Sequence, residues 1–143
     1  MISIRSAKAA DLDKIRALNI RCLPENYPKP FWREAFDGGH PHLVATAGQS
    51  SKIVGYIVTM IHESKLIVYS FAVDQAHRRR GIGRQLIEKC LELLQEPLYL
   101  QVRTDNEAAL KLYRNVGFTV SKTLPRFYRD GGDAFEMLFL PKA

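Results

Sequence analysis

Cysteine is nearly absent: the 143 residues hold two, Cys22 and Cys90. They fit no metal-ligand spacing, which excludes a zinc ribbon or a disulfide framework and predicts two reduced, buried thiols on helices of a cytoplasmic protein. Long apolar runs are missing too. The longest, such as Leu66 to Phe71, fall far short of the roughly 20 residues that span a bilayer. The opening "MISIRSAKAADLDK" has no apolar h-region, so neither a signal peptide nor a membrane is expected. The net charge of +6 comes without a basic tail, an aromatic RNA-binding motif or a zinc finger, which argues against a nucleic-acid partner. There is no Gly-Lys-Ser/Thr of a Walker loop, no complete GxGxxG, no internal repeat and no low-complexity linker.

What is present suits a single α/β domain over residues 1–143. At 46% hydrophobic and 25% charged residues the chain can bury an ordinary core. "ISIRSA", "HLVATA", "IVGYIVTMI", "KLIVYSFAV", "LYLQV", "FTVSKTL" and "AFEMLFL" read as strands, the third and fourth as a hairpin about His62 to Ser64. Leu12, Ile15, Leu18 and Cys22 fall on one helical stripe, as do Ile82, Leu86, Cys90 and Leu94. A short helix is predicted over Phe31 to Phe36 and another from Asn106 to the stop at Gly117. The order is β-α-α-β-β-β-α-β-α-β-β.

The densest chemical signal is "AHRRRGIGRQLIEKC". Arg78, Arg79, Arg80 and Arg84 crowd Gly81 and Gly83, after a strand and at the start of a helix. Helix N-termini carry unpaired N–H groups and partial positive charge. Glycines let the backbone approach a ligand, and arginines pair phosphate oxygens. The stretch reads as a site for a phosphate-bearing ligand, against the alternative of a solvated basic helix start.

Arg78-x-x-Gly81-x-Gly83 after "SFAV", followed by "TDNEAALKLYRNVGF", resembles the GNAT superfamily of acetyltransferases over nearly the whole chain. The resemblance implies a mixed sheet of about seven strands with about four helices, splayed between the fourth and fifth strands. It implies acetyl-CoA as co-substrate, its diphosphate on the main chain of Arg79, Arg80, Gly81, Ile82, Gly83 and Arg84 beside Arg78. Pantetheine would bond to the backbone of Phe71, Ala72 and Val73, with Asn106 and Ala109 alongside and the Tyr113 hydroxyl at the thioester sulfur.

Two further stretches narrow the likeness. "CLPENYP" and "RFYRDGGDAFEM" resemble loops of protein N-terminal acetyltransferases, in particular ribosome-associated catalytic subunits of eukaryotes and archaea. By that resemblance Leu23, Pro24 and Glu25 line a first-residue pocket, Tyr27 and Tyr128 close over a peptide, and a ribosome or an auxiliary subunit is a further partner. The chain departs from the pattern where relatives often carry bases: Ile67 stands on the fourth strand and Gln101 on the fifth. Phe127 replaces the first of two tyrosines. Tyr69, on the same strand face as Ile67, is one substitute. Glu25 is another, acting through water or only attracting the substrate ammonium.

An α-amine has a pKa of about 7.7–8.0 and a lysine amine about 10.4, so neutralising lysine costs roughly 3.5 kcal/mol more near neutral pH. A site with a weak base therefore favours a protein or peptide N-terminus. Acetylation of one ribosomal protein, a lysine or a small amine, and a non-catalytic acyl-CoA-binding subunit, remain the alternatives.

Overall fold

Apolar alternation and helical stripes resolve into a seven-stranded mixed sheet with helices on both faces. The computed structural model describes residues 1–24, 26–49 and 52–142. Among them run β1 (Ile2–Ser6), α1 (Leu12–Cys22), α2 (Lys29–Asp37), β2 (His42–Ala47), β3 (Lys52–His62), β4 (Lys65–Val73), α3 (Ile82–Glu92), β5 (Leu98–Arg103), α4 (Glu107–Asn115), β6 (Thr119–Leu124) and β7 (Ala134–Phe139). The sheet order is β1-β2-β3-β4-β5-β7-β6. The expected element order holds throughout. The second helix is longer than expected, because Pro28 caps it and Pro30 fits its first turn, where a missing N–H is harmless.

The two helical layers bury different cores. On one face Ile82, Leu86, Ile87 and Cys90 of α3 and Leu110 of α4 pack with Val54, Ile57, Leu66, Leu100 and Met137. On the other, Ile15 and Leu18 of α1 and Trp32 and Ala35 of α2 pack with Val44, Tyr56, Val58 and Ala72. This second layer lies on β3 and β4. Cys90 is fully buried, as expected, whereas Cys22 at the end of α1 is only half-buried. One polar cluster crosses the second core: Asn19 donates to Ser70 Oγ (3.4 Å), which also shares a 2.7 Å hydrogen bond with the Tyr56 hydroxyl. Burial pushes that hydroxyl up to about 12.

β3 and β4 are joined at Glu63 and Ser64, both left-handed with φ of 49° and 68°. Two successive left-handed residues match the right-handed twist of a tight hairpin, although neither is glycine. Further along, Val58 pairs with Ser70 and Thr59 with Val68, so Tyr69 is an extra residue, a β-bulge. The bulge switches the strand's faces. Leu66 and Val68 face α3 and α4 before it, and Phe71 and Val73 face them after it.

Parallel pairing of β4 with β5 stops after Leu66–Leu98 and Ile67–Tyr99, although both strands continue. They splay apart. The Asp74 N–H donates to the Val54 carbonyl at 2.7 Å. By alternation along the strand, Ala72 and Ser70 also turn their peptide groups to β3, and Phe71 and Val73 turn theirs into the gap.

Candidate active site

The glycine loop closes the far end of this gap. A single turn at Gln75–His77 follows β4, then Arg79 and Gly81 adopt left-handed conformations with φ of 66° and 74°. Gly81 caps α3 without any side-chain hydrogen bond, so the first N–H groups of the helix carry no side-chain partner. The two glycines differ in purpose. Nothing lies within 4 Å of a Cβ added at Gly81; glycine is needed there for its φ. A Cβ at Gly83 would touch Phe71 at 3.6 Å, Val73 at 3.7 Å and Leu112 at 3.9 Å, so Gly83 sits over the gap itself.

The arginines also divide. Arg78 Nε donates to the Val73 carbonyl at 3.1 Å, tying the loop to the strand end. Arg84 pairs with Glu88 one turn on, at 3.4 Å. Arg79 and Arg80 are exposed, without a side-chain hydrogen bond or ion pair among the described residues.

α4 forms the other wall. The Asn106 side chain accepts from the Ala109 N–H at 3.2 Å, the usual arrangement of an N-cap. Its amide nitrogen has no partner among the described residues. Tyr113 packs its ring 6.3 Å from Phe71 and 5.7 Å from Phe118. Burial first, then the neighbouring Tyr128, push the Tyr113 hydroxyl well above the usual phenol range, so at neutral pH it keeps its proton.

On the α1/α2 side of the sheet, a cleft of about 860 Å³ opens where β4 and β5 diverge. Ile67 and Tyr69 of β4 and Gln101 of β5 line it, with Tyr27 and Glu34 on one side and Phe127 on the other. Tyr27 stacks on Tyr69 with centroids 4.7 Å apart. The Tyr69 hydroxyl is buried with no hydrogen-bond partner among the described residues. Burial, then Tyr27 and Glu34, raise it beyond the ordinary phenol range, so at neutral pH it keeps its proton.

The expected peptide-loop residues are only partly brought together. Leu23 is half-buried against the α1/α2 core and Pro24 is exposed; Glu25 lies outside the described residues. Tyr128 is covered by the Arg103 guanidinium, 4.0 Å from its ring centroid. Phe127, not Tyr128, faces the cleft. Sequence reasoning passed over Glu136, which lines the cleft though it is 7% exposed. The available signal was a lone carboxylate inside the apolar strand "AFEMLFL".

The family model described as acetyltransferase (GNAT) family matches residues 12–118. The chain belongs to that family. It is 34% identical to an N-alpha-acetyltransferase of Sulfurisphaera tokodaii, over 94% of this chain and 90% of that protein. It is 31% identical to the N-terminal acetyltransferase A complex catalytic subunit NAA10 of Arabidopsis thaliana, over 96% of this chain and 77% of that protein. Among solved structures, Ard1 from Thermoplasma volcanium superposes with a TM-score of 0.88 at 26% identity, covering 99% of each chain.

Proposed function

We propose that this chain transfers the acetyl group of acetyl-CoA to the N-terminal α-amine of a protein or peptide. The observation that carries the reading is the interrupted β4–β5 ladder. It leaves the Phe71 and Val73 peptide groups facing a gap that ends on the uncapped N-terminus of α3. Acetyl-CoA suits this shape. Its diphosphate needs unpaired N–H donors, and its extended amide-bearing arm can add to an open strand edge. The residues present fit both demands.

In this reading the main chain from Arg79 to Arg84 holds the diphosphate, Arg78 holds the loop to β4, and Arg79 and Arg80 pair phosphate oxygens. The Asn106 amide and Ala109 border the arm. The Phe71 N–H polarises the thioester carbonyl. Ala72, whose peptide group faces β3, contributes its side chain to the wall instead. Tyr113 donates to the departing sulfur. Leu23, Pro24, Tyr27 and Tyr69 border the peptide, with Phe127 lining the cleft where the sequence suggested Tyr128, and a carboxylate takes the ammonium proton, Glu25 being the candidate from the sequence.

Ile67 and Gln101 favour an α-amine over lysine, because neither takes a proton and lysine is the harder group to neutralise. The likeness to N-alpha-acetyltransferases supports the same choice. No helix among the described residues is long and apolar enough to cross a membrane. A cytoplasmic setting, with an auxiliary subunit or the ribosome as partner, completes the proposal. Acetyl transfer to short peptides with free and blocked N-termini tests it. Free termini should react; acetylation only of internal lysines would refute it.

A further inference from the structure

Glu136 is a carboxylate held where carboxylates are rarely kept. It lies at the middle of the C-terminal half of the sheet, directly opposite Gln101 on β5 and Lys122 on β6. Leu100, Val102 and Met137 face the α3/α4 core. Gln101 and Glu136 therefore share the opposite face, where they line the cleft. Burying an acid costs several kcal/mol unless it is paired. The pairing here is incomplete. Ser121, the extra residue of a bulge in β6, donates to Oε1 at 2.8 Å. Oε2 meets Lys65 Nζ at 3.6 Å, beyond hydrogen-bond length, and that ammonium also lies 4.6 Å from the centre of the Tyr99 ring. One carboxylate oxygen is thus left without a hydrogen bond among the described residues.

The geometry points to Glu136 as the carboxylate that receives the substrate's α-ammonium and takes its proton, in place of a base at position 101. This rests on the α-amine reading above. An ammonium on Oε2 would complete its hydrogen bonding and displace only a loose ion pair. Glu136 takes the first proton and passes it to water. The neutral nitrogen then forms its bond to the acetyl carbon as the carbon–sulfur bond breaks. The second nitrogen proton leaves to water, and the thiolate is protonated by Tyr113, which recovers a proton from water. The charged groups facing Glu136 are Lys65 on β4 and Lys122 on β6. Across the cleft stand Glu34 on α2 and His62 and Glu63 on the hairpin, with Tyr69 beside them.

The test compares Glu136→Gln, Glu25→Gln and the exchange Gln101→Glu with Glu136→Gln, using acetyl-CoA and a peptide with a free N-terminus from pH 6.5 to 9. Glutamine keeps the shape and the Ser121 contact. Glu136→Gln should lower kcat/KM about 10- to 100-fold near pH 6.5. The deficit should shrink toward pH 9, where the amine is already neutral, and acetyl-CoA affinity and melting temperature should hold. The exchange variant should recover most of the low-pH rate. Wild-type rates for Glu136→Gln at every pH, or an equal deficit at every pH, would overturn the inference and leave the proposed function standing. So would a pH-dependent loss confined to Glu25→Gln. A wild-type protein inactive on every free N-terminus would overturn both readings.

Discussion

The two sides of the splayed strands are built from different materials. Toward α3 and α4 the ligand surface is mostly main chain: the Phe71 and Val73 peptide groups, two left-handed turns and an uncapped helix. Toward α1 and α2 it is side chains: Tyr27, Tyr69, Gln101, Phe127 and Glu136. A surface of main-chain donors is set by backbone course and can hold the same ligand through many sequences. A cleft of side chains changes its chemistry with each substitution. On the proposed function, the cofactor side is set by backbone course and the acceptor side by the side chains that line it.

The largest effect that would break this comparison comes from Gly83→Asp with Arg78→Ala. A carboxylate against the diphosphate should weaken acetyl-CoA binding by about 100-fold, on the order of two lost charge-assisted hydrogen bonds. Calorimetry with unchanged affinity would remove the diphosphate from α3. Tyr113→Phe should come next, lowering kcat by about tenfold with acetyl-CoA affinity intact; equal losses in both would make Tyr113 a binding residue only.

Smaller effects separate the two glycines. Gly81→Ala should lose about 1 kcal/mol of stability, because alanine resists a φ of 74°. Gly83→Ala makes only ordinary contacts and should melt near wild type. A pair of tyrosines sharpens the other side. Tyr56→Phe deletes the buried bond to Ser70 and should lower stability by about 1 kcal/mol. Tyr69→Phe deletes a hydroxyl that bonds nothing among the described residues; stability should not fall while the peptide KM rises several-fold. A lower melting temperature with unchanged KM would show that hydroxyl to be structural.

The smallest effect lies outside both surfaces. Asp11 takes two hydrogen bonds from Arg5, at 2.8 and 3.0 Å, and one from the Lys8 N–H at 2.7 Å. The Arg5 hydrogen bonds above all hold its carboxyl below the ordinary range. Its stabilisation is therefore complete above the unfolded value of about 3.9 and fades as pH falls through the lower folded value. Asp11→Asn should flatten the acid limb of a melting-temperature profile; an unchanged limb would assign it to other carboxylates.

Much of the proposed cofactor side was legible because its signals are local. Glycines next to arginines, after a strand and before an apolar stripe, describe a loop whose chemistry is its own backbone. Even there the reason for Gly81 was hidden, since a φ value is not written in the residue type. The acceptor cleft was legible only by likeness of its loops. Glu136 and Gln101 are 35 positions apart, and nothing in either segment announces that β7 enters the sheet beside β5.

By itself the sequence determined the order of elements, the buried stripes and the glycine turn that opens α3, because hydrophobic period and glycine placement act over a few residues. Only the tertiary structure decided where β4 parts from β5, that a bulge at Tyr69 turns the strand's faces, and that Glu136 stands opposite Gln101. Those depend on register between distant strands, which is fixed when the sheet closes on its two cores.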